Sequence, residues 1–234
     1  MINDAEDGTL LDLAKHLGTE SELETVASPS FWAPSDARVF LSQVSDIKEK
    51  TSKLKTALTD YEMVGFVAHE DIEPTREWQS EIEAALASMD AMVALLFPGF
   101  NESKWCDQEV GVAIGRRVPI VPVRIELDPY GLFGKYQAIQ GRGKTPVEVA
   151  RLVFRALIAK PQIAPKTTTN LVQMLNESRS WEESRRLIVL IGQSVFITPE
   201  HVRGMKEAQE GNSEVANADG VPEKIAKFAM TYGI

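Results

Sequence analysis

The sequence predicts an α/β fold, with a parallel sheet of about five strands and helices on both of its faces. Between residues 37 and 160, short apolar segments of strand length alternate with longer segments whose apolar residues recur at helical spacing. The links between these segments are short, so consecutive strands run parallel and the connecting helices cover the sheet. This layout is flavodoxin-like.

The predicted strands are short apolar runs that end at polar turns. They comprise residues 38–42, 63–68, 91–96, 118–123 and a weaker segment at 136–140. The fourth contains Pro119 and Pro122, and proline cannot donate a hydrogen bond to a neighbouring strand. That strand is therefore expected near an edge of the sheet, or pairing poorly at the two prolines.

Helices are predicted between these strands and after the last of them, and the one that follows the third strand is the most informative. Ser103 can accept a hydrogen bond from a free amide at its start. Trp105 and Glu109 are four residues apart, at the edge of a core-facing stripe. The stripe consists of Cys106, Val110, Ala113 and Ile114. An aromatic ring and a carboxylate thus lie side by side near the carboxyl end of a strand, where open α/β sheets bind ligands.

The chain divides into three parts by composition. Residues 1–36 are predicted to be an arm with a short amphipathic helix, Thr9–Leu17, and a linker. Eight carboxylates and one lysine give this arm a net charge of −7, which leaves −2 of the chain's −9 for the other residues. Residues 37–160 form the α/β domain. Residues 161–234 are predicted to be a small all-helical region whose helices follow a linker at 160–169.

Composition excludes several classes of function. The remaining charge is close to neutral, which argues against a general affinity for nucleic acid. No apolar run has the length of a membrane span, and the acidic start does not have the pattern of a signal peptide. A single cysteine excludes an internal disulfide, so a cytoplasmic location is expected. One cysteine and three scattered histidines predict no dedicated metal site.

Two other classes of site, a phosphate-binding loop and a receiver domain, are not supported by the sequence. Gly141-Arg142-Gly143-Lys144-Thr145 is not a phosphate loop, because the required glycine is replaced by Ala138, and a turn is predicted there. A receiver domain is excluded because its third strand would end in an aspartate, whereas this one ends Leu95-Leu96-Phe97.

Four segments in order resemble the successive boxes of a TIR (Toll/interleukin-1 receptor) domain. They include Phe40-Leu41-Ser42, the loop at 70–74 followed by 78–82, Ser103-Lys104-Trp105-Cys106-Asp107-Gln108-Glu109, and residues 118–123. The Ser-x-Trp-Cys-x-x-Glu box is the most specific. The stretch at 128–136 is similar to bacterial members. The loop has Glu73-Pro74-Thr75 in place of the Pro-Gly pair common in animal receptors, which puts receptor-type adaptor pairing in doubt more than catalysis.

The resemblance implies a function, since many TIR domains are NAD+ glycohydrolases. Glu109 matches their catalytic glutamate, and NAD+ is the substrate rather than a bound cofactor. A fixed carboxylate is suited to this chemistry, because positive charge develops on the ribose as the nicotinamide bond breaks. The residues expected to bind substrate are Phe40, Ser42, Gln43, Ser45, Asp46, Trp78 and Trp105. The loop expected to act as a lid and an assembly surface comprises His69, Glu70, Asp71, Ile72, Glu73 and Pro74.

The products implied are nicotinamide with ADP-ribose or a cyclic isomer, in defence or cell-death signalling. The alternative is a non-catalytic scaffold that assembles through the same surfaces. Self-association is expected in either case, together with a downstream effector or a nucleotide-sensing protein as a candidate partner. The acidic loop and a basic surface at Lys104, Arg116 and Arg117 predict head-to-tail contacts, with specific activity that rises with protein concentration.

Overall fold

The sheet has five parallel strands in the order β2-β1-β3-β4-β5. A computed structural model describes residues 29, 31–32, 37–68 and 78–234, except for the side chain of Trp78. The strands are β1 (Ala37–Ser42), β2 (Met63–Phe66), β3 (Ala91–Leu96), β4 (Ile120–Arg124) and β5 (Ile139–Gln140). The predicted fold class is therefore confirmed.

Four helices connect or follow these strands. They are α1 (Lys48–Thr59), α2 (Trp78–Ser88), α3 (Lys104–Gly115) and α4 (Pro146–Ile158). Short 3-10 turns at Ser45–Ile47, Phe100–Glu102 and Gly131–Phe133 complete the links. The predicted helix 9–17 and the predicted lid at 69–74 lie outside the described residues.

Alternate side chains of the strands supply two cores, one on each face of the sheet. On one face, Phe40 and Met92 pack with the inner sides of α2 and α3. On the other face, Leu41 and Val93 pack with α1 and α4. This alternation places the amino ends of α1 and α3 beside the carboxyl ends of neighbouring strands β1 and β3, which positions the site described below.

β4 is the second strand from one edge, as its prolines predict. Pro122 pairs with Ala94 of β3, and only two residues of β4 pair with the short β5. The predicted strands at 63–68 and 118–123 were each too long, because β2 ends at Phe66 and β4 begins at Ile120. The glycine-rich segment at 141–145 is the predicted turn.

Five more helices follow the sheet. They are α5 (Ala164–Asn176), α6 (Trp181–Ile191), α7 (Pro199–Gly211), α8 (Ser213–Ala216) and α9 (Val221–Tyr232). The predicted linker at 160–169 was wrong in its second half, because α5 begins at Ala164. Pro165 occupies the first turn of α5, where its missing N–H costs nothing, and Thr167 and Thr168 are buried.

The C-terminal helices share a core with the sheet. Leu171 of α5 and Leu187 of α6 belong to the same buried cluster as Val153 and Leu157 of α4. A salt bridge joins Lys166 Nζ to Asp90 Oδ2 at 3.1 Å, and so ties α5 to the start of β3. None of the helices in the described ranges is both long and apolar enough to cross a membrane.

Candidate functional site

Glu109 is a buried carboxylate near the carboxyl end of β1. It is only 6% exposed, although it is charged in its ordinary state. Its Oε2 accepts a hydrogen bond of 2.5 Å from Ser42 Oγ, the last residue of β1. The sequence placed Glu109 at the edge of the core stripe, and the structure places it deeper, against the sheet.

The helix that carries Glu109 is fixed at its amino end. Ser103 Oγ accepts from the backbone N–H of Cys106 at 3.3 Å, which caps α3 as the sequence predicts. Cys106 and Val110 are buried and anchor this side of the helix to the sheet. Trp105, by contrast, is 43% exposed.

The environment of Glu109 changes its acidity. Burial raises the pKa of Glu109 to about 7, because removal from water penalises the charged form. The hydrogen bond from Ser42 opposes this shift by stabilising the carboxylate. At neutral pH the ionised and protonated forms are therefore both well populated.

Glu109 lines a pocket of about 310 Å³, which is at the lower end of the range for small-molecule sites. The exposed Trp105 also lines it, as do residues of the turn that follows β1. The other lining residues are Leu41, Gln43, Val44, Ser45, Ala68, Ile82 and Ser103. Among these lining residues Glu109 is the single carboxylate. The pocket thus combines one acidic group with an aromatic face and several polar atoms.

Gln43 is held in place at the pocket wall from two directions. The side chain of Thr51 donates to Gln43 Oε1, and Cys106 Sγ contacts the Gln43 carbonyl oxygen at 3.5 Å. Gln43 Nε2 is buried and has no hydrogen-bond partner within the described part of the chain. An unused donor therefore remains beside the pocket, available to an acceptor on a ligand.

Cys106 is a structural thiol. It is buried, and burial raises the pKa of its thiol. A neutral, enclosed thiol is a poor nucleophile, so Cys106 is not expected to react with a ligand.

The structure brings together part of the predicted set of substrate-binding residues. Gln43, Ser45, Trp105 and Glu109 line one pocket. Ser42 does not line the pocket, but its hydroxyl donates to the Glu109 carboxylate and positions it. Asp46 is exposed and is not among the lining residues.

The position of Phe40 contradicts its predicted role in binding substrate. This residue is 1% exposed and packs against Phe66 in the core, because its side chain points to the α2 and α3 face of β1. The Trp78 side chain and the predicted lid, 69–74, lie outside the described residues.

Sequence reasoning missed four lining residues: Leu41, Ala68, Ile82 and Ser103. Val44 lies between Gln43 and Ser45 in the 43–46 turn, which the sequence already predicts as part of the site. Position could have indicated two of the missed residues, since Ala68 follows β2 and Ser103 precedes α3 at the carboxyl edge of the sheet.

Lys104, Arg116 and Arg117 of the predicted basic surface are exposed. The Arg116 guanidinium also donates to the backbone carbonyls of Leu86 and Met89 and joins α3 to α2.

Residues 39–153 match the profile of the family described as TIR domain. The chain contains a TIR domain. A solved structure similar to the chain is the TIR domain of the Toll-related receptor TRR-2 from Hydra magnipapillata, at 18% identity and a TM-score of 0.38. The match covers 44% of this chain and 82% of that one. No similar sequence was found among curated proteins.

TIR domains belong to a signalling family whose members self-associate and bind partner proteins. In this TIR domain, the Ser-x-Trp-Cys-x-x-Glu box corresponds to the start of α3 and supplies Ser103, Trp105 and Glu109 to the lining of the pocket. The described residues contain no group of three or more histidine, cysteine, aspartate or glutamate side chains that could hold a metal ion.

Proposed function

We propose that this TIR protein cleaves the bond between nicotinamide and ribose in NAD+. One observation carries the proposal: Glu109 is a buried carboxylate whose pKa is raised to about 7, in a pocket that also presents the ring of Trp105. A perturbed carboxylate in a pocket is typical of a reaction centre. The TIR family includes NAD+-cleaving members.

The ionised form of Glu109 would be the active one. When the C1′–N1 bond breaks, its electron pair goes to the pyridinium ring, which leaves as neutral nicotinamide. Positive charge then develops on the ribose, and a negative carboxylate stabilises it. Water forms the new bond to C1′ and releases one proton, so NAD+ and water give nicotinamide, ADP-ribose and H+. Attack by an adenine nitrogen in place of water would give a cyclic product.

Other residues have supporting roles in this proposal. The face of Trp105 suits the cationic nicotinamide ring, which aromatic rings attract. The free Nε2 of Gln43 would donate to an acceptor on nicotinamide or ribose. The pocket accommodates the nicotinamide end of the substrate, and the phosphates and adenine would extend beyond it.

A non-catalytic scaffold is the rival function, and the burial of Glu109 argues against it. Scaffolds use surface contacts, whereas a buried carboxylate without a cationic partner destabilises the fold that contains it. Among the residues that the structure describes, Ser42 is the hydrogen-bond partner of Glu109, and it is neutral. A protein that only assembles would gain stability from a neutral residue at this position.

The resemblance to bacterial TIR proteins suggests a cytoplasmic role in defence or cell-death signalling. Self-association is part of this proposal, and the product would act on a downstream effector or a nucleotide-sensing protein.

The test is to incubate the purified full chain with NAD+ and to separate the products by chromatography. We expect nicotinamide release by the natural protein and a loss of at least about 100-fold in Glu109→Gln, which has the same shape and no charge. Glu102→Gln is the matched control, because Glu102 is an exposed glutamate just before the same helix. Equal turnover of NAD+ by the natural protein and Glu109→Gln would contradict the proposal and would favour the non-catalytic scaffold.

A further inference from the structure

A second pocket lies on the other face of the sheet, between the amino-terminal parts of α1 and α4. Its volume is about 430 Å³. The floor is apolar and includes Leu54, Leu95, Phe97 and Val123. We call it the lysine pocket, because Lys50, Lys53 and Lys144 line its rim.

The charge of the lysine pocket is positive. Its lining contains three lysines and no aspartate or glutamate. Glu148, at the first turn of α4, is the nearest carboxylate on that helix, and it accepts from the backbone N–H and hydroxyl of Thr145 in a capping box. The ammonium group of Lys50 lies over the ring of Phe97, 5.4 Å from its centre. Positive charge therefore lies directly above an apolar floor.

The glycines of the turn at 141–145 keep this pocket open. A side chain at Gly141 would come within 2.6 Å of Ile125 Cδ1 and Val123 Cγ1. Gly143 has a φ of +75°, in the left-handed region that favours glycine. The turn can approach the strand ends closely at Gly141 and then present Lys144 to the rim.

We propose that the lysine pocket binds a small molecule that carries phosphate on an apolar or aromatic body, and that its occupancy is relayed to the Glu109 pocket. The rim supplies cations for the phosphate and the floor supplies apolar surface for the body. The volume of the lysine pocket suits a small molecule, and the two pockets share no lining residue.

The relay is a hydrogen bond between the two pockets. Thr51 lines the lysine pocket, and its hydroxyl donates to the side chain of Gln43, which lines the Glu109 pocket. Gln43 directly follows Ser42, the partner of Glu109. A ligand that shifts the first turns of α1 would therefore shift Gln43 as well.

The binding test uses phenyl phosphate as the probe and ¹⁵N NMR of the full chain as the readout, so it does not depend on NAD+ cleavage. We expect saturable shifts of the Thr51, Gly141 and Gly143 amides, with phenol and inorganic phosphate each at least about tenfold weaker. Charge reversal in Lys53→Glu/Lys144→Glu should weaken binding of the probe at least about tenfold. Lys48→Glu/Lys160→Glu is the matched control, because it changes the net charge equally at exposed lysines outside the lining.

Three results would overturn the binding proposal. One is the absence of probe binding at millimolar concentration, and another is equal binding by the two charge-reversed proteins. The third is shifts confined to the Glu109 pocket. If Lys53→Glu/Lys144→Glu instead abolished self-association and the probe did not bind, the pocket would belong to an acidic segment of a second copy.

The relay has its own readout. Binding of phenyl phosphate should shift the indole N–H signal of Trp105 in the natural protein. In Thr51→Val that shift should be absent at probe concentrations that saturate the shifts of the Gly141 and Gly143 amides. The signal is assigned with Trp105→Phe. A Trp105 shift that persists in Thr51→Val, or none in the natural protein, would show that the two pockets are not joined through Thr51.

Discussion

At the scale of single residues, Glu109 combines a proposed catalytic role with a cost in stability. The pairing of Trp105 and Glu109 could be predicted from their spacing on a helix. The raised pKa could not, because it depends on burial against β1, and β1 ends at Ser42, which is distant in the sequence. The prediction that Phe40 binds substrate was wrong for a related reason. Side chains alternate between the two faces of a strand, and the sequence does not show which face is open to a ligand.

The raised pKa of Glu109 predicts how stability depends on pH. In the unfolded chain this group has a pKa near 4.5, against about 7 in the folded protein. Between these values the folded protein holds a proton that the unfolded chain has released, so the free energy of unfolding falls as pH rises. At 1.36 kcal/mol per pKa unit, the loss is about 3 kcal/mol.

Glu109→Gln does not titrate, so its stability relative to the natural protein should increase by up to about 3 kcal/mol between pH 5 and pH 8. Urea unfolding of the natural protein, Glu109→Gln and the control Glu102→Gln at both pH values measures this. A stability difference that is the same at pH 5 and pH 8 would mean that Glu109 has an ordinary pKa.

At the scale of elements, α3 matters because its first two turns carry both Trp105 and Glu109. Its start could be predicted from Ser103, and β3 was predicted with the bounds that the structure has. The start of α5 could not be predicted, because prolines and threonines are typical of linkers. The deciding factor is the burial of Thr167 and Thr168 against the rest of the helical region, which is a tertiary effect.

The cap of α3 gives a prediction at this scale. Ser103→Ala leaves the amide of Cys106 without its acceptor and should lower the free energy of unfolding by about 1 kcal/mol. It should also lower kcat/KM for NAD+, because the capped turn positions Trp105. Ser180→Ala removes the equivalent cap of α6, where Ser180 accepts from the Glu183 amide, and should lower stability similarly with activity unchanged. If the two variants had the same activity, α3 would be positioned by packing alone.

At the scale of the whole molecule, the three-part division based on composition stays a prediction. The α/β layout could be predicted because strand and helix spacings differ along the chain. The joint core of α4, α5 and α6 could not be predicted. The sequence shows that each helix has an apolar face, but it does not show which surface that face packs against. The helical region packs onto the TIR domain through the face that carries α1 and α4.

This shared core predicts that residues 37–234 unfold as one cooperative unit. Calorimetry of the full chain should show a single transition for these residues, and a chain that ends at residue 160 should melt at a lower temperature or aggregate, because buried side chains of α4 such as Leu157 would meet water. Two well-separated transitions, with the first assigned to α5–α9, would show that the helical region is an independent domain.

The measurement that tests the catalytic role of Glu109 most directly is kcat/KM for nicotinamide release between pH 5 and pH 9. The natural protein should show a rate that rises with pH as one group ionises, with a midpoint near the Glu109 pKa of about 7, and then levels off. Ser42→Ala removes the hydrogen bond that lowers this pKa, so its midpoint should lie at higher pH, with the rate largely recovered at pH 9. A rate that does not change over this range, or a midpoint that is the same in Ser42→Ala, would contradict the assignment of Glu109 as the ionising catalytic group.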